Sequence, residues 1–151
     1  MTMKNNLKRI VITGGAGFIG SNLCRKLLKE GAEKILIIDD LSTGKIKNIE
    51  DLMELDEIEF IESRVEDIKN LNETLSNFDF CFHLAAGVGV QYIMENVSKA
   101  LLTNIEATHL MIESCKANNL PILITSTSEV YGVSNDKVWT EETKSLIGPP
   151  T

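Results

Sequence analysis

Residues 9–20 read Arg-Ile-Val-Ile-Thr-Gly-Gly-Ala-Gly-Phe-Ile-Gly, a β-branched run that stops at two glycines. Side chains branched at Cβ are stiff and pack well on a pleated surface, so Arg9 to Thr13 predicts a strand. From residue 18 to 30 the apolar spacing changes. Ile19, Leu23, Leu27 and Leu28 fall on one helical stripe, and Gly31 follows as a left-handed cap. The glycines between strand and helix fit both G-x-x-G-x-x-G (Gly14, Gly17, Gly20) and G-x-G-x-x-G (Gly15, Gly17, Gly20). Glycine permits a tight turn and lets backbone approach a diphosphate. The helix start supplies unpaired N–H groups and about half a positive charge. Gly20 allows the helix to pack closely on the strand. A βα turn without a ligand would use the same residues; the surrounding context decides between the two. Asp39 closes a second apolar run, Lys34–Asp39, 19 residues beyond Gly20, the spacing a dinucleotide-binding unit requires.

Further strands are predicted at 58–61 (IEFI, after a short helix), 78–84 (FDFCFHL) and 122–125 (ILIT, after Pro121). A long helix is predicted over about 90–118, with Leu101, Ile105, Met111, Ile112 and Cys115 on or near one face. Strands that are apolar at nearly every position are those covered on both faces. Alternating with helices, they predict an α/β fold with a doubly wound parallel sheet, five strands of the order 3-2-1-4-5-6. Residues 1–132 form this core. Residues 133–151 are a polar loop ending Gly148-Pro149-Pro150-Thr151, in which Trp139, Glu141 and Glu142 are expected to fold against further sequence.

The chain has 151 residues, 22 acidic against 15 basic, and a net charge of −7, which argues against a nucleic-acid partner. Its 43% hydrophobic content suffices for a core. No apolar run approaches the roughly 18 residues of a bilayer span, and the first ten residues lack a signal peptide's apolar stretch. Cys24, Cys81 and Cys115 form no C-x-x-C pair and are read as free thiols of a reducing compartment. Together these predict a soluble, cytoplasmic protein. His83 and His109 are given structural roles, and no spacing suggests a metal site.

Asp39 can accept hydrogen bonds from both hydroxyls of an adenosine ribose, and it repels a 2′-phosphate. At ~5 Å and an effective dielectric near 20 that repulsion is roughly 3 kcal/mol, about a hundredfold in affinity. Asp40 adds to it and no arginine follows, so NAD is favoured over NADP; alternatively the two carboxylates only begin a turn. The stretch Thr125-Ser126-Thr127-Ser128-Glu129-Val130-Tyr131-Gly132 lies at the carboxyl end of the fifth strand, where open α/β sheets place ligands. A hydroxyl there can bond a substrate oxygen as hydride leaves the carbon, or can simply terminate the strand.

TGGAGFIGSNL, DDLSTG, HLAA, Asn104 and STSEVYG occur in that order. Over residues 8–132 the chain resembles the extended short-chain dehydrogenase/reductase family, in its nucleotide-sugar epimerase, dehydratase and decarboxylase branch. The resemblance implies a Rossmann fold and NAD. It assigns the pyrophosphate to Gly14, Gly17, Phe18, Ile19 and Gly20, and the adenosine ribose to Asp39, Asp40, Leu41, Ser42, Thr43 and Gly44. Asp67 and Ile68 would read the adenine edge. Leu84, Ala85, Ala86 and Thr125 would line the cofactor, and Asn104 would brace the active-site backbone. Some epimerases place a cofactor-contacting lysine where this chain has Val88.

Thr127 would act as the hydroxyl of hydride transfer, with Ser128 and Glu129 beside it. T-S-E is similar to UDP-glucuronate decarboxylases and some epimerases. The dTDP-glucose 4,6-dehydratases carry T-D-E, and the GDP-mannose dehydratases, with T-S-E, use NADP. The family's Tyr-x-x-x-Lys pair is missing, since Tyr92 is followed by Asn96 and Tyr131 by Asn135. The resemblance places that tyrosine beyond Thr151, so this chain alone is expected to be inactive. The intact enzyme is expected to be a homodimer acting on a nucleotide sugar, a UDP-sugar above all. An epimerase is the first expectation; a decarboxylase, a dehydratase or a non-catalytic NAD-binding module are the alternatives.

Overall fold

The computed structural model describes residues 7–87, 98, 103–132 and 138–143. Five strands, β1 (Arg9–Thr13), β2 (Lys34–Asp39), β3 (Ile58–Glu62), β4 (Phe80–His83) and β5 (Ile122–Ile124), form one parallel sheet in the order β3-β2-β1-β4-β5. This is the Rossmann order expected from the sequence, with β1 at the centre. Thr13 pairs with Ile38 on one side and His83 on the other, and His83 with Ile124, so four strands end along a single edge.

The two-residue period of a strand divides the core. Ile10 and Ile12 join Cys24, Ile35 and Ile37 in one cluster, against which Leu23, Leu27 and Leu28 of helix α1 (Phe18–Lys29) pack. Val11, Leu36 and Ile38 point the other way, toward Leu71, Leu75, Ala107, Met111 and Cys115. β1 and β2 are therefore covered on both faces, each buried isoleucine contributing roughly 1.5–3 kcal/mol. The outer strands do not share this. Leu123 and Ile124 of β5 remain 43% and 41% exposed, because a strand at a sheet's edge has a neighbour on one side only.

α1 ends in a Schellman motif, with Gly31 N–H bonded to Leu28 O and Ala32 N–H to Leu27 O. Ile19 departs from the predicted stripe. It sits in the first turn, beyond the sheet, and is 65% exposed, while Gly20 and Cys24 face the core. Helix α2 (Leu71–Leu75), which the sequence reading left out, packs against helix α3 (Thr108–Ala117). A π-helical turn, Thr103–Ala107, precedes α3. Its wider winding shifts the inward face to Ala107, Met111, Ser114 and Cys115. Ile105 and Ile112, read on or near the same face as Met111 and Cys115, are 58% and 40% exposed. Leu101, Val88, Tyr92 and Asn96 lie outside the described residues, as do Asn135 and most of the tail.

All three cysteines are buried and free, and burial pushes the Cys24 thiol up to about 12. His83 is also buried. Its Nδ1 lies 2.7 Å from Thr13 Oγ1 and its Nε2 3.1 Å from Thr108 Oγ1, so a neutral ring ties β1 to α3 through β4. Desolvation lowers its pKa from the ordinary 6.5 to about 4. Below 6.5 the unfolded chain takes up a proton that the folded chain refuses until about 4. Stability is thus complete above that window and lost as pH falls through it, by about 3 kcal/mol. Urea titrations between pH 7.5 and 4 should show this loss superimposed on the carboxylates' own, and His83→Gln should remove it. An imidazole resonance of His83 titrating near 6.5 would refute the assignment.

Candidate functional site

The glycine turn rises from the centre of the sheet into the edge where the strands end. Gly14 N–H donates to Ile38 O of β2 at 2.8 Å, while Leu84 N–H donates to Thr13 O at 3.1 Å. The turn is thus clamped between its two neighbouring strands. Gly14 adopts φ +73°, and a Cβ there would stand 2.8 Å from Ala85 N. At Gly20 a Cβ would stand 2.3 Å from Gly14 O and 2.6 Å from Gly15 Cα, so helix and turn touch backbone to backbone. α1 begins with no side-chain cap and no acidic residue in its first turn. Its first intrahelical bond is from Ser21 N–H to Gly17 O, which leaves the N–H groups of Phe18, Ile19 and Gly20 without helical acceptors. The Phe18 and Ile19 side chains stand outside, 84% and 65% exposed. The result is a backbone cradle that a Cβ would fill, lined with donors and positive in sign.

Asp39, at the end of β2, is 8% exposed. Ala16 N–H donates to its Oδ2 and Leu41 N–H to its Oδ1, each at 2.9 Å. Burial pushes the carboxyl up, these two bonds pull it down, and the neighbouring Asp40 pushes it up again. Asp39 thus joins the glycine turn to the loop after β2, and its bond from Leu41 N–H opens the turn that the sequence offers as the alternative to a ligand. That loop is bent by Leu41, whose φ of 56° is a left-handed conformation rarely taken by a leucine. Ser42 N–H and Oγ–H both donate to Asp40 Oδ1, at 3.0 and 2.6 Å. Thr43 is exposed, whereas Gly44 is buried against the Asp39 carboxylate, where a Cβ would stand 2.7 Å from Oδ1.

Across the sheet, Asp67 ends a 3-10 turn (Val65–Asp67) with its side chain exposed, and Ile68 is half-buried against the core. Leu84 is half-buried and Ala86 exposed. Ala85 N–H donates to Thr13 Oγ1 at 3.2 Å. Thr13 escaped the sequence reading, although a polar side chain ending an apolar run was the available signal. Asn104 grips the next residue from both ends. Gly87 N–H donates to Asn104 Oδ1 at 2.6 Å, and Asn104 Nδ2 reaches Gly87 O at 3.4 Å. The contact of Asn104 is with the loop backbone.

At the end of β5, Thr125 N–H reaches His83 O at 3.4 Å, and Thr125 and Thr127 are exposed. Ser128–Tyr131 forms a 3-10 turn. The backbone places Ser128 and Glu129 there, but their side chains lie outside the described residues. Trp139, expected to fold against further sequence, stacks on Tyr131 with ring centroids 5.2 Å apart. Among the described residues no group of three His, Cys, Asp or Glu side chains could hold a metal ion, and no helix is long and apolar enough to cross a membrane.

The family model for GDP-mannose 4,6 dehydratase matches residues 11–147. A UDP-N-acetyl-alpha-D-glucosaminuronate decarboxylase of Bacillus cytotoxicus is 38% identical over 125 residues, covering 83% of this chain and 38% of that protein. The fold superimposes with a TM-score of 0.83 on a UDP-N-acetylglucosamine 4-epimerase of Methanobrevibacter ruminantium, 31% identical, covering 94% of this chain and 45% of that one. It superimposes with a TM-score of 0.84 on a dTDP-glucose 4,6-dehydratase of Streptomyces venezuelae solved with NAD bound, 28% identical, covering 91% and 45%. The chain therefore spans less than half the length of these relatives. Glycine turn, strand-end carboxylate and sheet order agree with the match, and the chain belongs to the nucleotide-sugar epimerase and dehydratase branch of the extended short-chain dehydrogenase/reductase family.

Proposed function

We propose that the chain is the N-terminal, NAD-binding portion of a nucleotide-sugar epimerase. The observation that carries this reading is the pairing of a donor-lined backbone cradle at Gly14–Gly20 with a buried carboxylate, Asp39, beside it. The N–H groups of Phe18 and Ile19 would bind the pyrophosphate, and Asp39, with residues 40–44, would hold the adenosine ribose. Asp67 and Ile68 would face the adenine, while Leu84, Ala85, Ala86 and Thr125 would line the dinucleotide's path. When bound, NAD supplies reversible oxidation of a sugar carbon, so that a transient keto-sugar can be reduced again on its other face. Thr127 would hydrogen-bond the oxygen of that carbon, and Ser128 and Glu129 would hold or move a proton nearby. The tyrosine and lysine of the family would come from further sequence, and without them this chain would not turn over. The intact enzyme would be a cytoplasmic homodimer with a UDP-sugar as substrate.

A decarboxylase is the second reading, favoured by the relative from Bacillus cytotoxicus and by a UDP-glucuronic acid decarboxylase of Xenopus tropicalis, 34% identical over 142 residues. Product analysis after incubating a protein that carries the Tyr-x-x-x-Lys pair with UDP-glucose, UDP-N-acetylglucosamine and UDP-glucuronate separates the two. Epimerised product supports the first reading, and carbon dioxide release the second. In the same protein, Thr127→Ala should lower turnover about 100-fold or more while leaving NAD affinity within a factor of two; full retained turnover would remove Thr127 from the site.

Calorimetric titration of this chain tests the ribose assignment. NAD should bind more tightly than NADP, and Asp39→Ala should narrow the preference by up to about a hundredfold. Tighter binding of NADP by the unaltered chain would overturn it.

A further inference from the structure

The middle of the glycine turn is held by a residue that belongs to neither the glycine pattern nor the ribose loop's acidic pair. Ala16 is completely buried, and both peptide groups flanking it are fixed. Its N–H is taken by Asp39, as described above. Its carbonyl accepts from Asn48 Nδ2 at 2.7 Å and from Lys45 N–H at 3.1 Å. Asn48 ends a 3-10 turn (Ile46–Asn48) some 32 positions along the chain, and is fastened in its turn by α1. Arg25 donates from Nη2 to Asn48 O at 2.9 Å and from Nη1 to Ser21 O at 3.1 Å, and pairs with Asp51. A closed ring results: glycine turn, α1, Arg25, Asn48, and back to the turn.

We propose that Asn48 is a positioning residue of the dinucleotide site, its side-chain amide fixing the Ala16–Gly17 peptide and through it the direction of the Phe18 and Ile19 N–H groups. The inference rests on the dinucleotide reading above. A trans peptide is planar, so a carbonyl pinned at Ala16 also fixes the plane of the Gly17 N–H, which reaches Gly14 O at 3.2 Å. Gly17 is the N-cap, and the next two N–H groups are those offered to the ligand. Glycine on one side, at Gly17, would otherwise make this peptide easier to rotate. An amide suits the position because its NH₂ donates to a carbonyl. A carboxylate there would repel both that carbonyl and the nearby Asp39, and an alanine would leave the Lys45 N–H bond and the 3.2 Å bond from Gly17 N–H to Gly14 O as the remaining restraints.

The test has a ligand arm and a ligand-free arm. Asn48→Ala should weaken binding of NAD and of ADP at least tenfold while leaving adenosine, which lacks phosphate, within a factor of two. Asn48→Asp should weaken NAD further, and Asn48→Gln, which retains the donor, should recover part of the loss. Equal weakening of ADP and adenosine would mean a general loosening and overturn the proposal, as would NAD binding unchanged in Asn48→Ala. Without ligand, hydrogen exchange at residues 14–20 should quicken at least tenfold in Asn48→Ala and stay unchanged in β4. Unchanged exchange in the turn overturns the proposal even if the unaltered protein binds no NAD, an outcome that would by itself refute only the dinucleotide reading. If Asn48→Ala does not fold, Asn48→Ser is measured against the same criteria.

Discussion

The arrangement of this protein depends on a single close approach, that of α1 to the turn feeding it. At Gly20 the helix backbone lies against Gly14 and Gly15 with no room for a methyl group. Because the helix starts so near the strand, its unpaired N–H groups open at the sheet's edge. The other chemistry of that edge is arranged around this point. Asp39 reaches Ala16 from β2, Ala85 roofs Gly14 from β4, and Thr13 joins the two sides by bonding both Ala85 and His83. A wider spacing would separate these groups and replace the cradle with solvent.

Much of this was legible in the sequence, for physical reasons. A strand covered on both faces must be apolar throughout, so β1 and β2 announce themselves, and the need for φ > 0 and for bare Cα atoms at a crowded turn leaves glycine as the recognisable residue. Asp39 stood out because it closes an apolar strand 19 residues beyond Gly20. What the sequence hid is equally instructive. Of the residues read on or near one face of the long helix, Met111 and Cys115 are inside but Ile105 and Ile112 are not, since a π turn breaks the periodicity on which such a reading relies. The exposure of β5 is set by how many strands stand beside it, which its own residues do not encode. Thr13 and Asn48 are single polar residues whose partners lie far along the chain, and no short-range pattern marks them.

The buried polar groups of the site are nearly all doubly used. Thr13 Oγ1 bonds a histidine ring and a backbone amide, and Asp39 accepts from two loops. Among the described residues no buried side-chain nitrogen or oxygen lacks a hydrogen-bond partner. In a low-dielectric interior such sharing is what makes polar burial tolerable, and it fixes geometry as well, because each group is held from two directions. His83 belongs to this scaffold. Held neutral between two threonines, it behaves as a rigid spacer.

The central position of β1 also has a bearing on how the protein is made. Thr13 and Ala85, which meet over the glycine turn, are 72 positions apart, and β1 pairs with β4 across a similar distance. During synthesis the turn therefore leaves the ribosome well before Ala85, one of its walls. Until β4 emerges, a strongly apolar strand waits with one of its edges unsatisfied, and contacts so distant in sequence form slowly. The interval in which the nascent chain is most open to mispairing is thus set by the same parallel register that later fixes the edge bearing the candidate site.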